Sequence, residues 1–513
     1  MREYCARYKS PYLRETLGFA LFLAWVYCSL FGCGLASYEN SPVGVTTVYN
    51  LEHVWMVSGL FEALGGIAGI VAARFVPMPD RLLKGRVLGA LALACAVVGN
   101  YVTMTAWADF PGLFWQLYPL GGALTGAAIA LFIMLWGARL GSYDEAYAEF
   151  AIPLSFTLAF ALYFVLLLTK QGHVPMFVAL ALMIAASTFF AVRSNVAERA
   201  ETPRAGRGRP ERDEGGRQGL LSFATLIAVS WVQVAFFRII STPSLTGDRF
   251  THYLLPFSCA CVLSLAMFLL CLRMSRYLNI SLAYRWSLPL FMLSYLPIFA
   301  DYDNAELRML AYAINFLGMF GVQFGSWVGM CKRLHRSHGN ALRLLGAYAF
   351  GEGLGIFAGC VVGLYVVESM DAHGMMEVSI ALMAAVIFAA MVTGFNPAWL
   401  FDRPSAARDG DRDGMRADAA DGGGEGGIAL LHRQEAQALQ TAYGLTSRET
   451  DVAALLLAGR SRPFIRDELV VSINTVSTHV RSIFSKCSVH SQQELMLLAR
   501  NGSPAASEGD RRA

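Results

Sequence analysis

Charged side chains are scarce in this 513-residue chain. They make up 15% of it against 55% hydrophobic residues, where a soluble domain carries about 25% charged. That shortage argues against an ordinary soluble protein. Metal-ligand spacing is missing too. Most of the ten cysteines lie inside apolar runs (Cys28, Cys95, Cys259, Cys261, Cys271, Cys360) and follow no pattern with histidine. They read as small buried hydrophobes; neither a disulfide framework nor a metal or cofactor is expected. No Ser/His/Asp, paired-carboxylate or Cys/His set is placed where water and substrate meet, so an enzyme is not expected. Gly65-Gly66 with Gly69, and Gly351, Gly353 and Gly355, follow no strand pattern, which excludes a phosphate loop. They suit close helix packing. The net charge of +3 averages unlike parts and selects no partner.

What is abundant is apolar runs of about 20 residues, the length a spanning helix needs. Six lie near 17–35, 54–75, 87–107, 112–136, 150–169 and 174–192. Six more lie near 220–240, 253–272, 282–300, 309–331, 344–366 and 377–396. Between the two sets, 193–219 is rich in Arg, Glu, Gly and Pro and reads as a solvated loop. Basic residues from Met1 to Arg14 mimic a secretory signal, but the run behind them is long enough to stay as a first span. An all-α, polytopic bundle of twelve helices over residues 1–400 is expected.

Loop charge orients the bundle. With the N-terminus inside, one side collects Arg2, Arg7, Lys9, Arg14, Arg74, Arg81, Lys84, Arg86, the seven arginines of 193–217, Arg273, Arg276, Arg285, Lys332, Arg333, Arg336 and Arg343. The other holds only Lys170, Arg249 and Arg308. An even number of spans returns the C-terminus to the same, cytoplasmic side.

Charges within spans face a cavity or a partner. Glu62, Arg238 and Glu352 are the candidates for a membrane site. Glu62 in the first half and Arg238 in the second could meet across a cleft between the halves, either around a small ligand or as a structural ion pair. Arg238 could also snorkel to the outer interface. Glu52-His53 reads as interfacial.

Residues 401–427 are rich in Asp, Arg and Gly and read as a flexible linker with a reach of roughly 25–30 Å. Residues 428–444 form a connecting helix, 445–500 a four-helix domain, and 501–513 a disordered tail. In that domain Thr446-Ser447-Arg448-Glu449 is a capping box opening a helix that stops at Gly459. A short helix from Arg462 to Leu469 follows, then one from Ile473 to about Lys486. There Ile473, Val476, Val480 and Ile483 make one apolar stripe. The opposite face (Asn474, Ser477, Thr478, Arg481, Ser482, Ser485) is small, polar and free of acids, as a major groove requires. An ordinary amphipathic surface helix shows the same periodicity.

Leu445-Thr446, Arg448-Glu449, Val452, Gly459, Ile465, Glu468-Leu469, Ser472, Thr475-Val476, His479-Val480, Ile483 and Lys486 together resemble the LuxR-type (FixJ/NarL) helix-turn-helix. The resemblance implies that Ile473–Lys486 is a recognition helix and that the last helix, Ser491 to Arg500, is a dimer contact. It implies DNA contacts from Asn474, Thr475, Ser477, Thr478, His479, Arg481 and Lys486, with Thr475 and His479 near the backbone. Three positions depart from the pattern. Ser477 replaces a common Lys, Arg466 a small residue, and Cys487 a usual Leu. The six-plus-six bundle in turn resembles the major facilitator superfamily. The family's loop motif is eroded, keeping Gly69 and Arg74 but losing the Asp and second Gly, which argues against coupled transport.

The sequence thus implies a membrane-anchored, one-component bacterial transcription regulator in the inner membrane, with both termini cytoplasmic. Its expected partners are double-stranded promoter DNA, the lipid bilayer, an unidentified small molecule and, on DNA, a second copy of itself. The alternative is a major-facilitator-type transporter with a regulatory DNA-binding tail.

Overall fold

The computed structural model describes residues 10–31, 47–75, 86–104, 113–143, 145–168, 173–193, 216–241, 249–274, 281–336, 341–393, 425–458, 465, 473–489 and 492–501. Helices joined by short turns make up these residues, with no strand among them. The chain divides into two compact units, Met1–Arg403 and Pro404–Ala513. Most of the loop 193–219, most of the linker 401–427, Gly459, the short helix from Arg462 to Leu469 apart from Ile465, and nearly all of the tail lie outside the described residues.

The first unit runs α1 (Ser10–Leu30), α2 (Thr47–Ala72), α3 (Arg86–Met104), α4 (Phe114–Leu140), α5 (Glu145–Leu168) and α6 (His173–Arg193). It continues α7 (Gly216–Ser241), α8 (Arg249–Met274), α9 (Ser281–Leu293), α10 (Tyr295–Ala300), α11 (Ala305–Arg336), α12 (Ala341–Ser369) and α13 (Ala372–Thr393). Among the described residues nine helices are long and apolar enough to cross a membrane. The other three expected spans fall on α8, on α9 with α10, and on α13, whose described apolar stretches are Leu254–Leu270, Trp286–Ala300 and His373–Phe388. One of these is interrupted where α9 ends and α10 begins, at Ser294. Pro297 supplies the cause, since it has no N–H to return to Leu293 and its ring crowds that carbonyl.

Large apolar side chains cover the outer surface of the unit, among them Leu168, Leu182, Leu221, Val262 and Phe388, all exposed. The polar ones turn inward, as lipid demands. This is a multi-pass membrane protein. Glycine sets how closely its helices approach. A Cβ at Gly351, Gly355 or Gly359 of α12 would stand 2.6, 2.3 and 2.4 Å from the carbonyl oxygens of Ala224, Ala228 and Val232 on α7. The rising register makes these two helices parallel. On α12's other side Gly353 meets Gly59 and Gly346 meets Gly66 of α2, a falling register that makes that pair antiparallel. Both directions are those of a chain that reverses at every span.

Aromatic rings fill the region where the halves meet. Phe257 of α8 stacks on Tyr163 of α5 with ring centroids 3.9 Å apart, and lies 4.6 Å from Phe316 of α11 and 5.9 Å from Phe31 of α1.

Candidate DNA-binding interface and membrane-buried charges

The second unit holds α14 (Glu425–Tyr443), α15 (Ser447–Leu457), α16 (Ile473–Lys486) and α17 (Gln492–Asn501). Its core draws on all four: Ala436 and Leu439, Val452 and Leu456, Val476, Val480 and Ile483, and Leu495 and Ala499, joined by Ile465. The connecting helix is therefore part of this domain's core. It ends at Gly444, whose φ of +65° belongs to the left-handed region and whose missing Cβ would touch nothing within 4 Å. Glycine is needed there for the backbone and not for space. Gly444→Ala is expected to lower the domain's thermal midpoint, at a cost of about 1 kcal/mol. The matching cap after α16 has Ser488 at φ 52°, with the Val489 N–H donating to the Phe484 carbonyl. Here the chain uses a serine where glycine is less strained, so Ser488→Gly should raise the midpoint. Cys487, in the place of a usual Leu, is buried as a small hydrophobe.

The capping box forms as the sequence implies. The Glu449 N–H donates to Thr446 Oγ1 at 3.3 Å, and the Thr446 N–H donates to Glu449 Oε2 at 2.7 Å. Glu449 also reaches into α16. Ser482 Oγ donates to its Oε1 at 2.6 Å and Lys486 Nζ to its Oε2 at 2.7 Å, while Lys486 also donates to the Gly444 carbonyl at 3.2 Å. One carboxylate thus caps α15 and pins the last turn of α16. Lys486, expected at DNA, has its ammonium engaged inside the domain.

Burial alone would push the Glu449 carboxyl up, but Lys486, Ser482 and Thr446 together hold it down at about 2. A folded-state value below the ordinary carboxylate range gives stability that is full above about 4.3. That stability is lost as pH falls through the folded value of about 2. Acid titration of DNA binding should therefore show a progressive loss as pH falls from about 4.3 towards 2, and Glu449→Gln should bind weakly already at neutral pH.

The expected stripe of α16 is buried at Val476, Val480 and Ile483. Thr478, Arg481 and Ser485 are exposed, and Thr475, Ser477, His479 and Ser482 half-buried. The side chains of Ile473 and Asn474, and Arg466, lie outside the described residues. No acid stands on the front of α16.

In the membrane unit the three candidates do not converge. Arg238 of α7 is fully buried and does not snorkel. Its Nε lies 3.0 Å from Glu52 Oε1, its Nη2 donates to the Leu30 carbonyl at 2.9 Å, and its guanidinium sits 4.2 Å from the Trp55 ring and 4.7 Å from Phe31. The pair with Glu52 joins the two halves as a buried ion pair. The expected meeting of Glu62 with Arg238 is therefore corrected. Glu52 lies ten residues, about 15 Å along the helix, before Glu62, and it is Glu52 that is level with Arg238. Glu52 is buried among side chains at the start of its span. Glu62 instead lies beside Glu352 of α12, whose carboxyl is flanked by Tyr348 and Gln323.

Two further charge pairs escaped the sequence reading. Arg139 of α4 clasps Glu15 of α1 through Nε and through Nη2, the latter at 2.7 Å, and Tyr143 donates to the same carboxylate at 3.0 Å. Lys332 of α11 pairs with Glu149 of α5, again across the halves. Both acids sit near span ends, where a charge reads as a loop residue. For Glu149 only its apolar neighbours Ala148 and Phe150 hint otherwise; for Glu15, between Arg14 and Thr16, nothing adjacent does.

Residues 444–499 match the family model "Bacterial regulatory proteins, luxR family". No curated protein sequence matches the chain. Among solved structures, a bacterial homologue of the iron transporter ferroportin in its outward-facing state is 12% identical with a TM-score of 0.52, over 75% of this chain and 97% of its own. The same protein with soaked iron gives 0.51 at the same identity and coverage. A proton:xylose symporter of the major facilitator superfamily is 10% identical over 75% of this chain and 95% of its own, with a TM-score of 0.48. At such identities the likeness speaks to fold alone. The chain carries a LuxR-type helix-turn-helix DNA-binding domain at residues 444–499 and a multi-pass membrane unit that shares its fold with a bacterial transporter homologue.

Proposed function

We propose that this protein is a membrane-anchored, one-component transcription regulator of the bacterial inner membrane. Its C-terminal domain binds promoter DNA as a homodimer, and its membrane unit senses a small molecule. One observation carries the reading: a LuxR-type domain with an acid-free front on α16 stands in the same chain as a multi-pass membrane unit. Thr478 and Arg481 lie on that front and reach base edges or phosphates, with Asn474, Ser477, Thr475 and His479 beside them and Lys486 at the end of the helix. Residues 445–500 carry seven Lys/Arg against five Asp/Glu, so phosphate attraction is modest and binding depends on salt and on pairing of two copies.

The halves of the membrane unit are held together by the Glu52–Arg238 and Glu149–Lys332 pairs. A ligand that prefers one arrangement of the halves shifts the balance between arrangements; one that binds both equally shifts nothing. Genome-wide mapping of DNA bound by the intact protein, with and without the segment from Ile428 onward, tests the reading. Discrete bound sites that vanish with the truncation are expected. Identical maps from both forms would refute it.

A further inference from the structure

Glu62 and Glu352 come from opposite halves of the membrane unit and meet where α2 and α12 cross. The crossing is close because both helices place glycine there. A Cβ on Gly353 would lie 2.4 Å from the Gly59 carbonyl oxygen and 3.0 Å from the Cβ of Glu62. Both acids are buried, Glu62 2% and Glu352 6% exposed. Each lies within the other's electrostatic reach. Tyr348 and Gln323 flank the Glu352 carboxyl. Gln323 uses its Oε1 to accept from Tyr27 at 2.6 Å, which leaves its amide N–H groups for the acid. Glu62 Oε1 is fully buried and has no hydrogen-bond partner.

Among the described residues, the side chains that act on this pair are neutral. Tyr27 faces it from α1, Gln323 from α11 and Tyr348 from α12. On neighbouring helices Arg238 of α7 pairs with Glu52, Arg139 of α4 with Glu15 and Lys332 of α11 with Glu149, while Arg343 of α12 and Arg333 of α11 stand about 14–15 Å along their helices from Glu352 and Gln323. Glu52 and His53 lie at the far end of α2. Two carboxylates enclosed in a low-dielectric interior cannot both stay ionised without a counter-charge. In a membrane such acids mark ion or proton sites.

We propose that Glu62 and Glu352 form a site for one positive charge, a proton or a small monovalent cation, at the α2–α12 crossing. The site names the ligand class of the sensor and rests on the sensing role proposed above. The bound charge bridges the two halves, so its loss leaves two like charges face to face and favours their separation. That is the differential affinity a sensor needs.

The test uses full-length protein in lipid nanodiscs, without DNA. Infrared difference spectra are recorded as pH is lowered, first without sodium and then with sodium chloride against an equal concentration of choline chloride. A protonated-carboxyl band is expected to grow as pH falls, and to be altered in both Glu62→Gln and Glu352→Gln. If sodium suppresses the band at fixed pH and releases protons to a dye, the site exchanges a metal cation. If sodium has no effect, the charge is a proton. The Glu62→Gln/Glu352→Gln double variant imitates the neutral state; its thermal midpoint should not respond to sodium, and above about pH 5, where Glu449 is still ionised, it should not respond to pH. A wild-type spectrum and midpoint that respond to neither pH nor sodium would overturn the proposal. So would a pH response unchanged in the double variant. Since no DNA is present, either failure leaves the DNA-binding reading to stand or fall on the genomic map.

Discussion

Full-length protein carrying Arg481→Ala is expected to bind its operator about 5- to 150-fold more weakly than wild type, the range of one lost base-edge contact of about 1–3 kcal/mol. Arg481 is exposed on the front of α16, while Val476, Val480 and Ile483 seat the back in the domain core. The substitution therefore removes a groove cation without opening a cavity. Its loss should also relax preference at the base read, which separates it from a phosphate contact that weakens all sequences alike. Competition gel shifts against singly altered operators give both quantities. An Arg481→Ala protein with unchanged affinity would remove this side chain from the interface.

The second large effect is expected at the opposite end of the chain's chemistry. Glu52→Gln should destabilise the membrane unit by about 3 kcal/mol or more, because it removes the carboxylate that the buried Arg238 guanidinium pairs with. Arg238 keeps the Leu30 carbonyl and the Trp55 and Phe31 rings, none of which carries a negative charge. Combining Glu52→Gln with Arg238→Met retains the stem over the rings and removes the charge. The double variant should recover much of the lost thermal midpoint in detergent. Two independent, additive losses would show that the residues do not act as a pair.

Much of this fold was legible in the sequence because its determinants are local. Hydropathy over about 20 residues marks a span without reference to anything else. The capping box is complete within four residues, Thr446 to Glu449, and forms as read. What escaped was long-range. Glu449 reaches Ser482 and Lys486, 33 and 37 residues on, and nothing in its own turn says so. Arg238 chose Glu52 over Glu62 because helix level, not shared polarity, decides which acid an arginine meets. The eighth and twelfth expected spans are helices of 26 and 22 residues, while the ninth breaks at Ser294, where Pro297 has a slight effect on hydropathy but a large one on the backbone. Glu15 and Glu149 sit just before the apolar runs that mark their spans, so hydropathy says nothing of them, while packing places them against Arg139 and Lys332.

The central claim joins a DNA-reading domain to the cytoplasmic face of a membrane unit, and a reporter fused at residue 450 tests it most directly. A reporter that is active only in the cytoplasm should be active there, and one that is active only in the periplasm should be silent. The reverse pattern would put α15 and α16 on the side of the membrane where no chromosome lies, and would contradict the account.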